Sequence, residues 1–203
     1  MTDRDLVRLY WPVELRPAFD ALFAIDDVMA DVVVSSTQPA LGAIRLAWWR
    51  EALERLDHAP APAEPRLQAA AGHLLPRGVS GAMLAPLEDG YATLLDEEPH
   101  GDRIGAGGAA LFAIGARLLR ADDPKLAGAG RLYAFARAAR RGLAALPNDL
   151  TAPSHRFPSS LRPLTAFARL AARDVSRAPN LEPEATPGRA LALVRHRLGG
   201  RID

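Results

Sequence analysis

Asp26, Asp27 and Asp31 stand close together in an otherwise apolar stretch, and they are the residues of this chain best placed to do chemistry. Two carboxylates four residues apart on a helix share a face, and Asp27 and Asp31 have that spacing. Together they can hold a diphosphate-bound Mg²⁺ ion. The same spacing also has a plainer reading. Ala18, Leu22, Ile25, Met29 and Val32 recur at intervals of 4, 3, 4 and 3, which makes one core stripe. Asp20, Asp27 and Asp31 are offset from that stripe by roughly 200°, where solvated side chains belong. Arg137, Arg140 and Arg141 form a second candidate group, able to grip a phosphate or carboxylate on one helix. Their alternative is an ordinary basic surface near a helix C-terminus.

The elements that position these residues read as helices throughout, with no alternating β-branched run to suggest a sheet. The first helix begins between Pro12 and Pro17, and Ser35-Ser36-Thr37-Gln38-Pro39 breaks it. On the next helix Leu41, Ile44 and Trp48 form one apolar stripe and Leu46, Trp49, Leu53 and Leu56 another, which predicts a helix sunk deep in a bundle. Further helices are expected over Arg66–Leu75, Ser80–Glu97, Ile104–Arg120, Pro124–Leu146 and Leu164–Arg173, with Pro147-Asn148-Asp149 as a strong stop. The last helix has Thr186 as N-cap, Pro187 in its first turn and Gly199 as C-cap, and Leu191, Val194 and Leu198 as its docking face. The expected architecture is a single all-α domain spanning residues 1–203.

From Tyr10 to Leu53 the chain resembles the opening of the squalene/phytoene synthase family, which condenses two isoprenoid diphosphates head to head using Mg²⁺ held by aspartates. Phe23-Ala24 before the aspartates, and Ile44-Arg45-Leu46 with Trp48-Trp49-Arg50 after them, carry the likeness. It implies an isoprenoid-synthase-like bundle around a central cavity, shortened at its C-terminus. Active members place Asp-x-x-x-Asp where this chain has Ala30 and Val34, so Asp27 and Asp31 sit about one turn early. Asp26, on the stripe of Ala30, is the one that points toward the cavity. The family's second acidic motif precedes a segment that Arg156-Phe157-Pro158 resembles, and here that region retains Asp149 alone, on a helix that Pro147 interrupts. The same helix, which the family directs toward its cavity, carries Arg137, Arg140 and Arg141. The resemblance therefore implies a member that has lost condensation, with no catalytic residue, metal or cofactor expected. Asp26, Asp27, Asp31 and Asp149 are the residues that would carry Mg²⁺-dependent prenyl transfer if it persisted, with Asp27 and Asp31 as the metal ligands.

The stretch Tyr10 to Phe19 further resembles a branch that includes mitochondrial assembly factors for respiratory complex I and their bacterial relatives. What that implies is a non-catalytic assembly or isoprenoid/lipid-binding factor, cytoplasmic or peripheral at the inner face of a membrane, in contact with a respiratory complex. Arg189, Arg195, Arg197 and Arg201 of the last helix, with the arginines of the acid-poor Pro124–Arg173 stretch, are the residues expected to approach anionic headgroups.

Composition narrows the field. The chain has no cysteine, which excludes disulfides and thiolate chemistry. A formal charge of +1 gives no global field for nucleic acid. No apolar run approaches a membrane span, and the charged N-terminus shows no secretory signal. Gly105 to Gly108 is not a phosphate loop, because no strand precedes it and no Lys-Ser or Lys-Thr follows. The five histidines lack ligand spacing, Ser154-His155 lacks triad partners, and Trp48 and Trp49 read as core.

Overall fold

A computed structural model describes all residues from Met1 to Asp203, and it is helical throughout; its only β feature is an isolated bridge between Arg156 and Arg201. Ten α-helices run α1 (Asp3–Arg8), α2 (Arg16–Ser35), α3 (Pro39–Arg55), α4 (Pro65–His73), α5 (Gly81–Leu84), α6 (Leu87–Ala92), α7 (Gly101–Leu119), α8 (Leu126–Arg140), α9 (Arg162–Val175) and α10 (Pro187–Gly199). The bundle is all-α, as the periodicity predicts. None of these helices is long and apolar enough to cross a membrane.

Helix α2 is the axis of the core. Pro17 sits in its first turn, and Ala18, Leu22, Ile25, Met29 and Val32 are all buried. Trp11 stacks on Phe19 and Phe23 at centroid distances of 5.0 and 5.7 Å, and Phe23 meets Phe167 of α9 at 4.6 Å. Tyr133 of α8 closes this aromatic cluster, 5.5 Å from both Phe112 of α7 and Phe167. These rings fill the middle of the bundle. What remains between α2, α6, α7 and α8 is a slot of about 30 Å³, lined by Asp26, Ala30, Tyr91, Gly108 and Leu111 among others. That is room for about one water molecule, so the central cavity implied by the resemblance is present only as this slot.

Several expectations are corrected by the fold. Helix α1 has no counterpart among the expected elements; its N-cap Thr2 and Asp5 form a reciprocal capping box. The single helix expected over Ser80–Glu97 is divided into α5, α6 and a 3₁₀ turn at Thr93–Leu95. The break falls at Pro86, which has no N–H to continue α5. The helix expected to reach Leu146 ends at Arg140, because Gly142 turns left-handed at φ +69° well before Pro147. In α10 the left-handed cap is Gly200 rather than Gly199.

Two apolar faces also point the other way from expectation. Helix α3 buries Leu46, Trp49 and Leu53, while Leu41, Ile44 and Trp48 stay 53%, 66% and 46% exposed. It lies on the bundle's surface and is not sunk within it. Helix α10 docks through Arg189, Ala192, Leu193 and His196, leaving Leu191, Val194 and Leu198 in solvent. The reason is electrostatic. Arg189 is buried between Asp3 and Asp174, and His196 bonds Thr165, so polar partners fix which face turns inward.

Candidate functional site

Aspartates of α2 face arginines at the end of α8. Asp27 and Asp31 are one turn apart on α2, and Arg137 and Arg141 are one turn apart at the end of α8, so the two rows rise in step. An Arg137 Nη donates to Asp27 Oδ1 at 2.6 Å and an Arg141 Nη to Asp31 Oδ1 at 2.5 Å. Arg141 also lies 3.4 Å from Asp27, and Arg4 of α1 grips the other oxygen of Asp27. Asp27 is thus held by three guanidiniums, not solvated as its offset from the core stripe predicts. Asp31 alone of the pair stays largely exposed.

Asp26 points inward beside Ala30, as expected of that stripe, and is 4% exposed. Its carboxylate accepts from the hydroxyls of Tyr91 on α6 and Tyr133 on α8, the second at 3.2 Å, and lies 3.1 Å from Arg137 Nε. Burial, reinforced by the Asp26 charge, pushes the Tyr91 phenol well above its ordinary range. Burial likewise raises Tyr133. Both therefore keep their protons and serve as donors. Burial alone would raise the Asp27 carboxyl, but Arg137 and Arg4 outweigh it and hold it below the usual carboxylate range. The Arg137 guanidinium, despite burial, is held charged by Asp26 and its neighbours.

Arg140 belongs to a second network. It makes a two-pronged bond to Asp174 of α9, 2.6 Å on each arm, and reaches the Glu182 carbonyl at 2.8 Å. Asp174 shares its charge with Arg189 of α10 at 2.5 Å, and Arg189 ends on Asp3 of α1. The two networks meet as walls of one cleft of about 270 Å³ between α1, α2, α8 and α9, with Tyr133, Phe167 and Leu170 among its apolar lining. Arg137, Arg140 and Arg141 all line it, as a shared site requires, but beside Asp3, Asp27, Asp174 and Glu184. Its charges are nearly balanced. Asp149 lies exposed in the loop after Gly142 and lines neither the slot nor the cleft.

The Mg²⁺ that the resemblance implies for active members does not fit these side chains as they stand. Each carboxylate of Asp26, Asp27 and Asp31 already faces a guanidinium, and no three acidic or histidine side chains converge on one point. The arrangement does what a fixed set of internal counter-ions does: it ties α1, α2, α8, α9 and α10 together. No family model, curated protein or solved structure matches the chain. Arg4, Tyr91, Tyr133 and Asp174, which no sequence signal singles out, complete the site, and Arg189, expected at a headgroup surface, is buried in it between Asp3 and Asp174. Thr2-x-x-Asp5, a capping signature, was the one signal able to place Arg4 on a helix.

The second network gives an acid-stability prediction. Arg173 and Thr186 hydrogen-bond Glu182 and hold its carboxyl at about 2, below its ordinary 4.5. A carboxylate depressed in the folded state stabilises fully above its unfolded value and loses that contribution as pH falls toward its folded one. The thermal stability of the wild type should therefore exceed that of Glu182→Gln at pH 6, and the gap should close between about pH 4.5 and pH 2. A gap that stays constant across that window would contradict the assignment.

Proposed function

We propose that this chain is a squalene/phytoene synthase-like bundle that does not condense prenyl diphosphates and instead acts as a non-catalytic assembly factor. The observation that carries the proposal is the placement of Arg137, which lies between Asp26 and Asp27 where a metal-dependent site needs open carboxylate oxygens. A guanidinium fixed there supplies the positive charge that Mg²⁺ would otherwise bring, and it cannot exchange. The interior supports docking over carriage of an isoprenoid. The slot is water-sized, and the 270 Å³ cleft is both charged and below the roughly 300–1,000 Å³ of ordinary small-molecule sites.

Incubation with farnesyl or geranylgeranyl diphosphate, Mg²⁺ and NADPH should yield no hydrocarbon, and Mg²⁺ alone should leave the melting temperature unchanged. Turnover that disappears in Asp27→Asn or Asp31→Asn would overturn the proposal and restore an active prenyl transferase. The assembly role fits a site beside an anionic membrane. Arg195 and Arg197 are exposed without acidic partners and accompany Leu191, Val194 and Leu198 on α10; Arg201, expected on the same helix, is exposed just beyond its Gly200 cap, and Arg189 is buried and cannot take part. Flotation with anionic vesicles should weaken sharply as salt rises. Absence of flotation at low salt would remove the membrane from this reading.

A further inference from the structure

We propose that the outward face of α3 is a self-association surface, covered in solution by the same face of a second copy of this chain. From Ser36 to Trp49 the only charged residue is Arg45. Ala40, Leu41, Ala43, Ile44, Ala47 and Trp48 are all exposed and fall on one side of the helix, opposite the buried Gly42, Leu46, Trp49 and Leu53. This is a continuous apolar band about three turns long. It is not a scatter of single surface hydrophobics.

The area matches what a stable dimer needs. With Leu41, Ile44 and Trp48 exposed by 53%, 66% and 46%, the band leaves on the order of 450 Å² of apolar surface open. A standard interface buries about 800 Å² per partner, somewhat over half of it apolar, which is again about 450 Å². The anchor is also pre-oriented. Trp48 meets Trp49 edge-on, with centroids 5.2 Å apart and planes at 83°, and Trp49 is itself rooted in the core. Trp48 stands at the C-terminal end of the band, and an ordered tryptophan is among the residues that most often anchor a protein interface.

The charges select the occupant. Beyond Trp49 the helix carries Arg50, Glu51, Glu54 and Arg55, so the rim around the apolar band has both signs. A rim of mixed sign pairs with its own copy, whereas a rim of one sign repels it. Interfacial lipid helices are rich in Lys and Arg beside their apolar face, and Glu51 and Glu54 depart from that pattern. Of the two exposed apolar faces, only that of α3 is self-complementary.

Sedimentation equilibrium of the full chain, from about 1 to about 100 μM, tests the proposal at and above the dissociation constants of standard-size interfaces, which run from micromolar to picomolar. The wild type should be dimeric in that concentration range. Ile44→Glu and Trp48→Glu should each weaken association by roughly thirtyfold or more. Leu191→Glu, on the other exposed apolar face, should leave association unchanged, and unaltered helical circular dichroism should show that each variant folds. A wild type monomeric throughout, or a dimer indifferent to Ile44→Glu, overturns the proposal. Flotation with uncharged vesicles that Ile44→Glu abolishes in a monomeric wild type would assign the face to lipid instead.

Discussion

Replacing Arg137 by methionine should destabilise the fold by about 3–5 kcal/mol, the cost of removing one partner from a buried ion pair. At roughly 2–4 °C per kcal/mol for a chain of this size, the melting temperature should fall by about 6–20 °C. Asp26 and Asp27 are the reason. Asp26 is 4% exposed and has only the two tyrosine hydroxyls left once the guanidinium is gone. Asp27 loses the 2.6 Å contact that, with Arg4, keeps its carboxyl ionised. Lysine does not substitute: its single ammonium cannot bridge two carboxylates as a planar fork does. The double variant Asp26→Asn, Arg137→Met should recover most of the loss, because no charge is then stranded and the amide accepts from one tyrosine hydroxyl through its oxygen and donates to the other through its nitrogen. Chemical denaturation of the three proteins decides the matter. A cost below about 1 kcal/mol for Arg137→Met would mean that the network is not a structural element.

That network was only half legible in the sequence. The spacing of Asp27 and Asp31, and of Arg137 and Arg141, is written in the chain, but their matching across α2 and α8 depends on how two helices 110 residues apart are set side by side. Periodicity assigns a side chain to a face relative to its own helix and not to a partner. Asp27 therefore read as solvated, although Arg4 and Arg137 approach from elements whose placement no local pattern fixes. The helices themselves were legible wherever the local chemistry is strong: Pro17 and Pro187 in first turns, Thr186 as a cap, and the break at Ser36. Reading failed where an apolar face has no partner within the chain. Leu41, Ile44 and Trp48, like Leu191, Val194 and Leu198, have the pattern of a core stripe and are exposed. The inward faces of those helices were chosen instead by Trp49 and Leu53, and by the Arg189 and His196 bonds.

The Gly105 to Gly108 run, which is no phosphate loop, ends in a direct main-chain contact between α7 and α8, and that contact carries the second large prediction. Glycine inside a helix costs about 1 kcal/mol relative to alanine, so its presence there needs a compensating gain. A Cβ built on Gly108 of α7 would stand 2.2 Å from the Gly130 carbonyl oxygen and 2.6 Å from Ala134 Cβ; one built on Gly130 of α8 would stand 2.3 Å from the Gly108 carbonyl oxygen. The two backbones touch directly, with no side chain that can swing aside. Gly108→Ala must therefore drive α7 and α8 apart, which displaces Tyr133 from Phe112 and Arg137 from the α2 aspartates. The expected cost is about 3 kcal/mol, at the upper end for overpacking because the obstacle is main chain. Gly72→Ala is the control: Gly72 lies in α4 with nothing within 4 Å of the added methyl, so alanine there should stabilise by about 0.5–1 kcal/mol. Opposite signs for the same substitution in two helices, read from denaturant midpoints, would follow from close approach alone. A Gly108→Ala protein as stable as the wild type would show that α7 and α8 do not approach as closely as described, and with them the setting of Arg137 against Asp27 would have to be redrawn.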